Sequence, residues 1–387
     1  MTPPPLSLYI HLPWCVSKCP YCDFNSHELK TGAPPDRYID TLLADLEADL
    51  PLVWGRTVVS IFLGGGTPSL FSPDQVERLL TGVATRVTLR PDVEITMEAN
   101  PGTLECGRLA DYRAAGVNRV SLGVQSFDDD ALKSLGRIHS GAAAADAVAE
   151  ALDAGFNSVN LDLMYALPNQ SMQAMEADLH RALALGVPHL SHYQLTLEPN
   201  TRFHHQPPAG IPDIDRSADM MDHAQRRLED AGFEQYEVSA YAQPGHQCRH
   251  NLNYWRFGDY LGIGAGAHGK ITDGASGRIL RRLKQRHPRS YLDSADRVVE
   301  DRELTVSERP FEFLLNALRL KQGFTVQEFE QNTGVPFAQV EPDIRREADL
   351  ELLDVDDQRI KASARGYLFL NEVLERFLPG DEGDVAA

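Results

Sequence analysis

Between residues 6 and 235, short apolar runs alternate with segments whose apolar residues recur every three or four positions. The runs are "LYIHL" (8–12), "TVVSIFLGGG" (57–66), "VEITMEA" (93–99), "NRVSLGVQS" (118–126), "SVNLDLMYAL" (158–167) and "LSHYQLTL" (190–197). They are short and mostly rich in β-branched residues, which predicts strands. Segments such as "DRYIDTLLADLEADL" (36–50) and "SMQAMEADLHRALALG" (171–186) carry the helical period. Apolar strands joined by helices predict a parallel sheet.

The punctuation agrees with this alternation. "SPDQ" (72–75) reads as a helix start, with Ser72 as N-cap, Pro73 in the first turn and Gln75 closing a capping box. "AGVN" (115–118), "AGFN" (154–157), "LGVP" (185–188) and "AGFE" (231–234) place Gly where a helix ends in a left-handed residue. Six irregularly spaced units of this kind predict an α/β fold, a partial (β/α)6 barrel whose site lies at the C-terminal ends of the strands. The expected domains are a barrel core (1–235), a connecting and capping segment of loops, glycine clusters and basic residues (236–305), and a small winged-helix-like domain (306–378) with a short hairpin before its last helix. Residues 379–387, "PGDEGDVAA", read as a disordered tail.

Composition narrows the function classes. The formal charge of −19 argues against binding bare nucleic-acid backbone, which calls for concentrated Lys and Arg. No run of about 18 apolar residues suggests a transmembrane segment, and "MTPPPLSLYI" lacks the features of a secretory signal. A cytoplasmic protein is expected, with at most transient membrane association.

Three of the five cysteines, Cys15, Cys19 and Cys22, crowd into "CVSKCPYC". Disulfides fit poorly, because the cluster holds an odd number of thiols and Cys106 and Cys248 are far off in sequence. Structural zinc wants a fourth ligand, for which His11 or His27 is the available choice. An iron–sulfur cubane fits better. Three thiolates leave one of four irons without a protein ligand, open to a small molecule.

The stretch resembles the CxxxCxxC signature of the radical S-adenosylmethionine (SAM) proteins, with Tyr21 just before the third cysteine. "GGGTPS" (64–69) follows the second strand; alone it is as readily a turn as a ligand loop, but bare backbone there suits the amino and carboxylate groups of SAM. Glu98, Gln125, Arg137 and Asp162 recur near strand ends, where amide, carboxylate and guanidinium groups suit a ribose and a sulfonium amino acid. From Tyr9 onward the chain is similar to the oxygen-independent coproporphyrinogen III oxidase group of radical SAM proteins, and more so to its haem-chaperone branch. The resemblance implies a [4Fe-4S] cluster on Cys15, Cys19 and Cys22. It implies SAM contacts from Tyr9, Tyr21, Gly65, Gly66, Thr67, Glu98, Gln125, Arg137 and Asp162.

Two departures separate this chain from the oxidases of that group. Phe24 stands where they carry a fourth cysteine, and Tyr9 lies almost at the start of the chain. "HNLNYW" (250–255) resembles the HNxxYW motif that the chaperone branch links to haem. Physically, His250 is a candidate axial ligand and Tyr254 and Trp255 could pack on a flat macrocycle; the plainer reading is that His250 caps a loop and the aromatics fill a seam. Cys248 is the alternative ligand. "GIGAGAHG" (262–269) lacks the βαβ frame of a dinucleotide loop; the resemblance implies a stretch closing over the barrel mouth. The basic run at 278–289 reads as a solvated face, or as a set of arginines for haem propionates.

The resulting expectation is a chaperone that holds haem and passes it to acceptor proteins, such as respiratory-chain or haem-storage proteins, with a reductant protein serving the cluster. Porphyrinogen oxidation is the alternative, disfavoured by Phe24 and the short N-terminus. A radical enzyme acting on another substrate is the third reading.

Overall fold

A computed structural model describes residues 2–29, 34–102, 108–356 and 359–379. Cys106 and residues 380–387 of the expected tail lie outside the described residues. All six predicted strands form, as β1 (Leu6–Leu12), β2 (Thr57–Gly65), β3 (Thr88–Ala99), β4 (Arg119–Gln125), β5 (Ser158–Tyr165) and β6 (His189–Gln194). Each runs parallel to the next. The helices between them include α1 (Asp36–Asp49), α2 (Pro73–Ala84), α3 (Leu109–Ala114), α4 (Gly141–Asp153) and α5 (Met172–Ala184), and α6 (Ile214–Asp230) follows β6. Ser72 and Gln75 form the expected capping box at the start of α2. Gly116, Gly155, Gly186 and Gly232 are all left-handed, with φ between 73° and 112°.

The strands alternate sides in a way that sets up the interior. In β1, Leu6, Leu8, Ile10 and Leu12 pack outward against α1 and α2, while Ser7, Tyr9 and His11 take the other face. In β4, Val120, Leu122 and Val124 join the helix-side core, leaving Arg119, Ser121 and Gln125 opposite; in β5, Val159, Leu161 and Leu163 leave Ser158, Asn160 and Asp162. The outer face is thus an apolar core under helices, and the inner face is a buried polar lining.

Residues 236–305 differ from the expected run of loops. They contribute β8 (Ala240–Ala242), β9 (Asp259–Ile263), β10 (His268–Thr272), β11 (Ile279–Lys284) and β12 (Val298–Glu303), and β7 (Glu234–Gln235) precedes them. The sheet has twelve strands in the order β12-β11-β10-β9-β1-β2-β3-β4-β5-β6-β8-β7. β9 adds a seventh parallel strand beside β1, and β10 to β12 continue it antiparallel. The signal for β9 was obscured by Gly262 within it and by Gly258, Gly264 and Gly266 around it, since Gly is a weak strand residue. Gly262 is nonetheless required, because a Cβ there would lie 1.9 Å from the His268 carbonyl oxygen.

The basic run is a solvated face only in part: Arg278, Arg286 and Arg289 are exposed, but the residues between Arg281 and Lys284 are not. Lys284 is buried and donates to Asp45 (2.6 Å) and Asp49 (2.8 Å) of α1, and Arg282 pairs with Asp49 and Asp301. Arg281 pairs with Glu312. Burying such charges is tolerated because each is matched and hydrogen-bonded. These contacts clamp the added strands onto α1.

Beyond the sheet, helices Arg309–Ala317, Val326–Thr333 and Glu341–Asp349 precede a hairpin of Leu353–Val355 with Ile360–Ala362. Two short helices, Ala364–Leu368 and Leu370–Glu375, follow. Phe313, Phe324 and Phe329 centre their apolar core, which also takes in Phe257 and Ile279.

Candidate cofactor-binding site

The cysteine loop leaves β1 at its C-terminal end and is pinned back on itself. Trp14–Cys15 pairs with His27–Glu28, and the His27 and Leu29 amides donate to Pro13 and Cys15 carbonyls at 2.7 and 2.9 Å. Cys15, Cys19 and Cys22 are free thiols, none of them fully buried, and all three line one cavity of about 440 Å³ at the C-terminal ends of the strands. Burial pushes the Cys15 and Cys22 thiols up, so their ionised forms call for a positive charge such as bound iron. Among the described residues no three His, Cys, Asp or Glu side chains gather on one point to hold a single metal ion. A cubane makes no such demand, because each thiolate binds its own iron.

The glycine loop is pressed against this cysteine loop. The Gly66 amide donates to Leu12 O (2.8 Å) and the Thr67 amide to Trp14 O (2.7 Å). A Cβ on Gly66 would sit 2.5 Å from the Trp14 carbonyl oxygen; one on Gly65 (φ 113°) would sit 2.4 Å from the His11 ring. The approach therefore needs bare backbone. Glu98 Oε2 accepts from the Gly65 amide at 3.1 Å.

The remaining wall comes from the inner faces of β3 to β6. Asp162 accepts from Asn160 Nδ2 (2.8 Å) and Ser121 Oγ (3.2 Å). Gln125, left-handed at φ 68°, accepts from the Tyr193 hydroxyl at 2.7 Å. Arg137 donates to Gly123 O and Asn100 Oδ1, and Nη1 lies 3.6 Å from Cys19 Sγ. Burial, and then repulsion from Asp162, raises Glu98 to about 7; burial also raises Asp162. Two desolvated carboxylates on one cavity wall suit a ligand that brings positive charge.

Tyr21, Gly65, Gly66, Thr67, Glu98, Gln125, Arg137 and Asp162 all line this cavity with the three cysteines. Tyr9 does not. It lies on the inner face of β1 with its hydroxyl 2.9 Å from His11 Nδ1, and it lines a neighbouring cavity instead. The sequence reading missed Ser121, Asn160, Ser191 and Tyr193. Their signal was the every-second-residue polar pattern inside runs read simply as apolar.

The neighbouring cavity, of about 510 Å³, is walled by Tyr9, Phe62, His250, Tyr254, Trp255 and Tyr260. It shares Phe24, Gly65 and Glu98 with the first. "HNLNYW" lies within α7 (Arg249–Trp255), whose first amides are held by Glu94: the Arg249 and His250 N–H groups donate to its carboxylate at 3.1 and 3.0 Å. His250 Nδ1 is 3.2 Å from Ser60 Oγ and its ring lies 5.0 Å from that of Phe62. Burial pushes it down to about 3, so the imidazole is neutral. Cys248 is completely buried outside this cavity, facing Glu94, and burial pushes its thiol up to about 12. It is a poor source of a thiolate ligand. "GIGAGAHG" spans β9 and the turn into β10. Its Gly264 amide reaches Asp45 and Tyr291 rather than an open phosphate site, and Gly266 lines the aromatic cavity.

Comparison with known proteins adds three findings. The sequence profile of the Radical SAM superfamily matches residues 9–182, and that of the HemN C-terminal domain matches residues 304–369. The chain is 50% identical to the heme chaperone HemW of Escherichia coli (strain K12), covering 97% of this chain and 98% of that one. It is 48% identical to the heme chaperone HemW of Haemophilus influenzae, covering 97% and 98% respectively. Among solved structures, the coproporphyrinogen III oxidase HemN from Escherichia coli superposes with a TM-score of 0.81 at 24% identity, covering 97% of this chain and 90% of that one, a likeness of fold.

Proposed function

Because the chain belongs to the HemW family of heme chaperones within the radical SAM superfamily, we propose that it holds haem beside a [4Fe-4S] cluster and SAM and delivers the haem to acceptor proteins. The observation that carries this reading is the pair of adjoining cavities, one ringed by three thiols and the other by aromatic rings and a neutral histidine. The residues fit the groups. Cys15, Cys19 and Cys22 would hold three irons of the cluster. Gly65, Gly66 and Thr67 would present backbone to SAM, with Glu98 and Asp162 toward its cationic groups and Tyr21, Gln125 and Arg137 completing the wall. His250 would ligate haem iron through Nε2, its Nδ1 being held at Ser60.

When bound, the cluster with SAM supplies one-electron chemistry and haem supplies an iron centre for ligation. The chain's own contribution is positional. Glu94 fixes the first turn of α7, and with it the height of His250 above Tyr9 and Phe62. The aromatic wall excludes water from a flat apolar ligand. Phe24, 58% exposed where the oxidases carry cysteine, contributes a ring to the boundary between the cavities but no fourth thiol. Acceptor proteins and a reductant for the cluster are the partners this reading requires.

The test is anaerobic reconstitution followed by haem titration and a coproporphyrinogen assay on one sample. Stoichiometric haem binding without decarboxylation supports the chaperone reading. Robust decarboxylation in the presence of reductant and SAM would replace it with the oxidase reading.

A further inference from the structure

The lining of the aromatic cavity also includes polar side chains, among them Asn25, Glu98, Asn251, His268 and Arg286. Arg286, two residues beyond β11, and His268, the first residue of β10, lie at one end of that antiparallel pair, since His268 pairs with Leu283. Arg286 differs from its neighbours in sequence. Arg281, Arg282, Arg289 and Arg302 each pair with a carboxylate, and Arg297 lies over the Tyr291 ring. Among the described residues, no carboxylate lies within ion-pairing distance of Arg286. Its backbone is nevertheless fixed: the Arg286 carbonyl accepts from Asn25 Nδ2 at 2.8 Å, and the same amide nitrogen donates to Ala265 O. Burial pushes His268 down; the Arg281 and Arg286 guanidinium groups add to this and the Glu300 carboxylate opposes it.

An unpaired guanidinium on a fixed backbone, at the edge of an aromatic slot, is suited to the carboxylate of an otherwise apolar ligand. Resting on the haem reading of this cavity, we infer that Arg286, seconded by His268, receives a propionate of the bound macrocycle and sets which edge of it faces the rim. The macrocycle's apolar edge then points inward, among Tyr9, Phe62 and Trp255.

The experiment titrates reconstituted wild type, Arg286→Gln and Arg289→Gln with haem and with haem dimethyl ester, followed by absorbance. Arg286 is exposed, and Arg289 serves as a control because it belongs to the same segment but does not line the cavity. Wild type and Arg289→Gln are expected to favour the free acid over the ester by about tenfold, the scale of one charge-assisted pair at a partly open rim. Arg286→Gln is expected to bind both alike, at the affinity of wild type for the ester. Equal binding of acid and ester by wild type, or a preference that survives in Arg286→Gln, would overturn the assignment. The parent reading fails differently: His250→Ala would then leave both titrations and both spectra unchanged.

Discussion

At the scale of single residues, the cluster assignment makes a sharp division among the cysteines. Replacing Cys15, Cys19 or Cys22 with Ala should abolish the cluster, seen as loss of iron and of the brown chromophore. Replacing Cys248 should leave it intact, since that side chain is buried against Glu94 away from the cavity. His250→Ala should weaken haem binding or shift its absorption spectrum, whereas Cys248→Ala should do neither. A spectrum altered only by the Cys248 change would reverse the assignment. Trp255→Ala and Tyr254→Ala remove ring contact rather than a bond to iron, so each should cost about 1 kcal/mol of haem affinity. That the three cysteines share one cavity and that His250, Tyr254 and Trp255 of "HNLNYW" line the next was legible in the sequence, because ligand chemistry restricts residue type so strongly. Tyr9 lines the adjoining cavity, which shares Gly65 and Glu98 with the first; strand alternation puts neighbouring inward residues into different cavities, and the sequence does not show where one cavity ends.

At the scale of elements, the β2-to-α2 connection separates function from ordinary helix stability. Gly66→Ala would drive a methyl group into the Trp14 backbone and push the glycine loop off the strand that carries Cys15. It should lower stability by roughly 1–3 kcal/mol, the usual cost of overpacking, and reduce iron retention as well. Ser72→Ala, only six residues on, removes a cap and should cost about 1 kcal/mol of stability, read from denaturant unfolding, while leaving iron content unchanged. Full iron retention in Gly66→Ala would show that the two loops are not mechanically joined. The barrel strands and their caps were readable because local pattern and turn chemistry agreed. β9 to β12 were not, since glycines and arginines mask strand propensity, and what stabilises them is long-range pairing with β1 and α1.

At the scale of the molecule, the sheet buries histidines as well as carboxylates, and this sets how the fold responds to acid. His189, on the inner face of β6, sits between Asn160 (2.5 Å) and the Tyr236 hydroxyl (2.8 Å), and burial lowers it well below its ordinary value. His192, turned to the helix side, stacks on Tyr165 at 4.8 Å, and burial lowers it to about 3. In the unfolded chain both would titrate near 6.5. Between pH 6.5 and the folded value the unfolded state therefore binds more protons, so the stability that these groups contribute at pH 7 is lost as pH falls. Asp178 works in the opposite sense: burial raises it to about 6, so the folded state gains protons first on acidification and recovers some stability between pH 6 and 4. His192 offers the clean test, because a phenyl ring can keep the stack on Tyr165 without a titrating group. Wild type should lose about 1.6 kcal/mol through His192 alone between pH 6.5 and 5, the slope rising toward about 1.4 kcal/mol per pH unit as the unfolded imidazole becomes fully protonated. His192→Phe should lack that component, so urea midpoints of the two proteins, matched for cluster content, should diverge in its favour below pH 6.5. Parallel midpoints down to pH 5 would mean that His192 is protonated as readily in the folded chain as in the unfolded one.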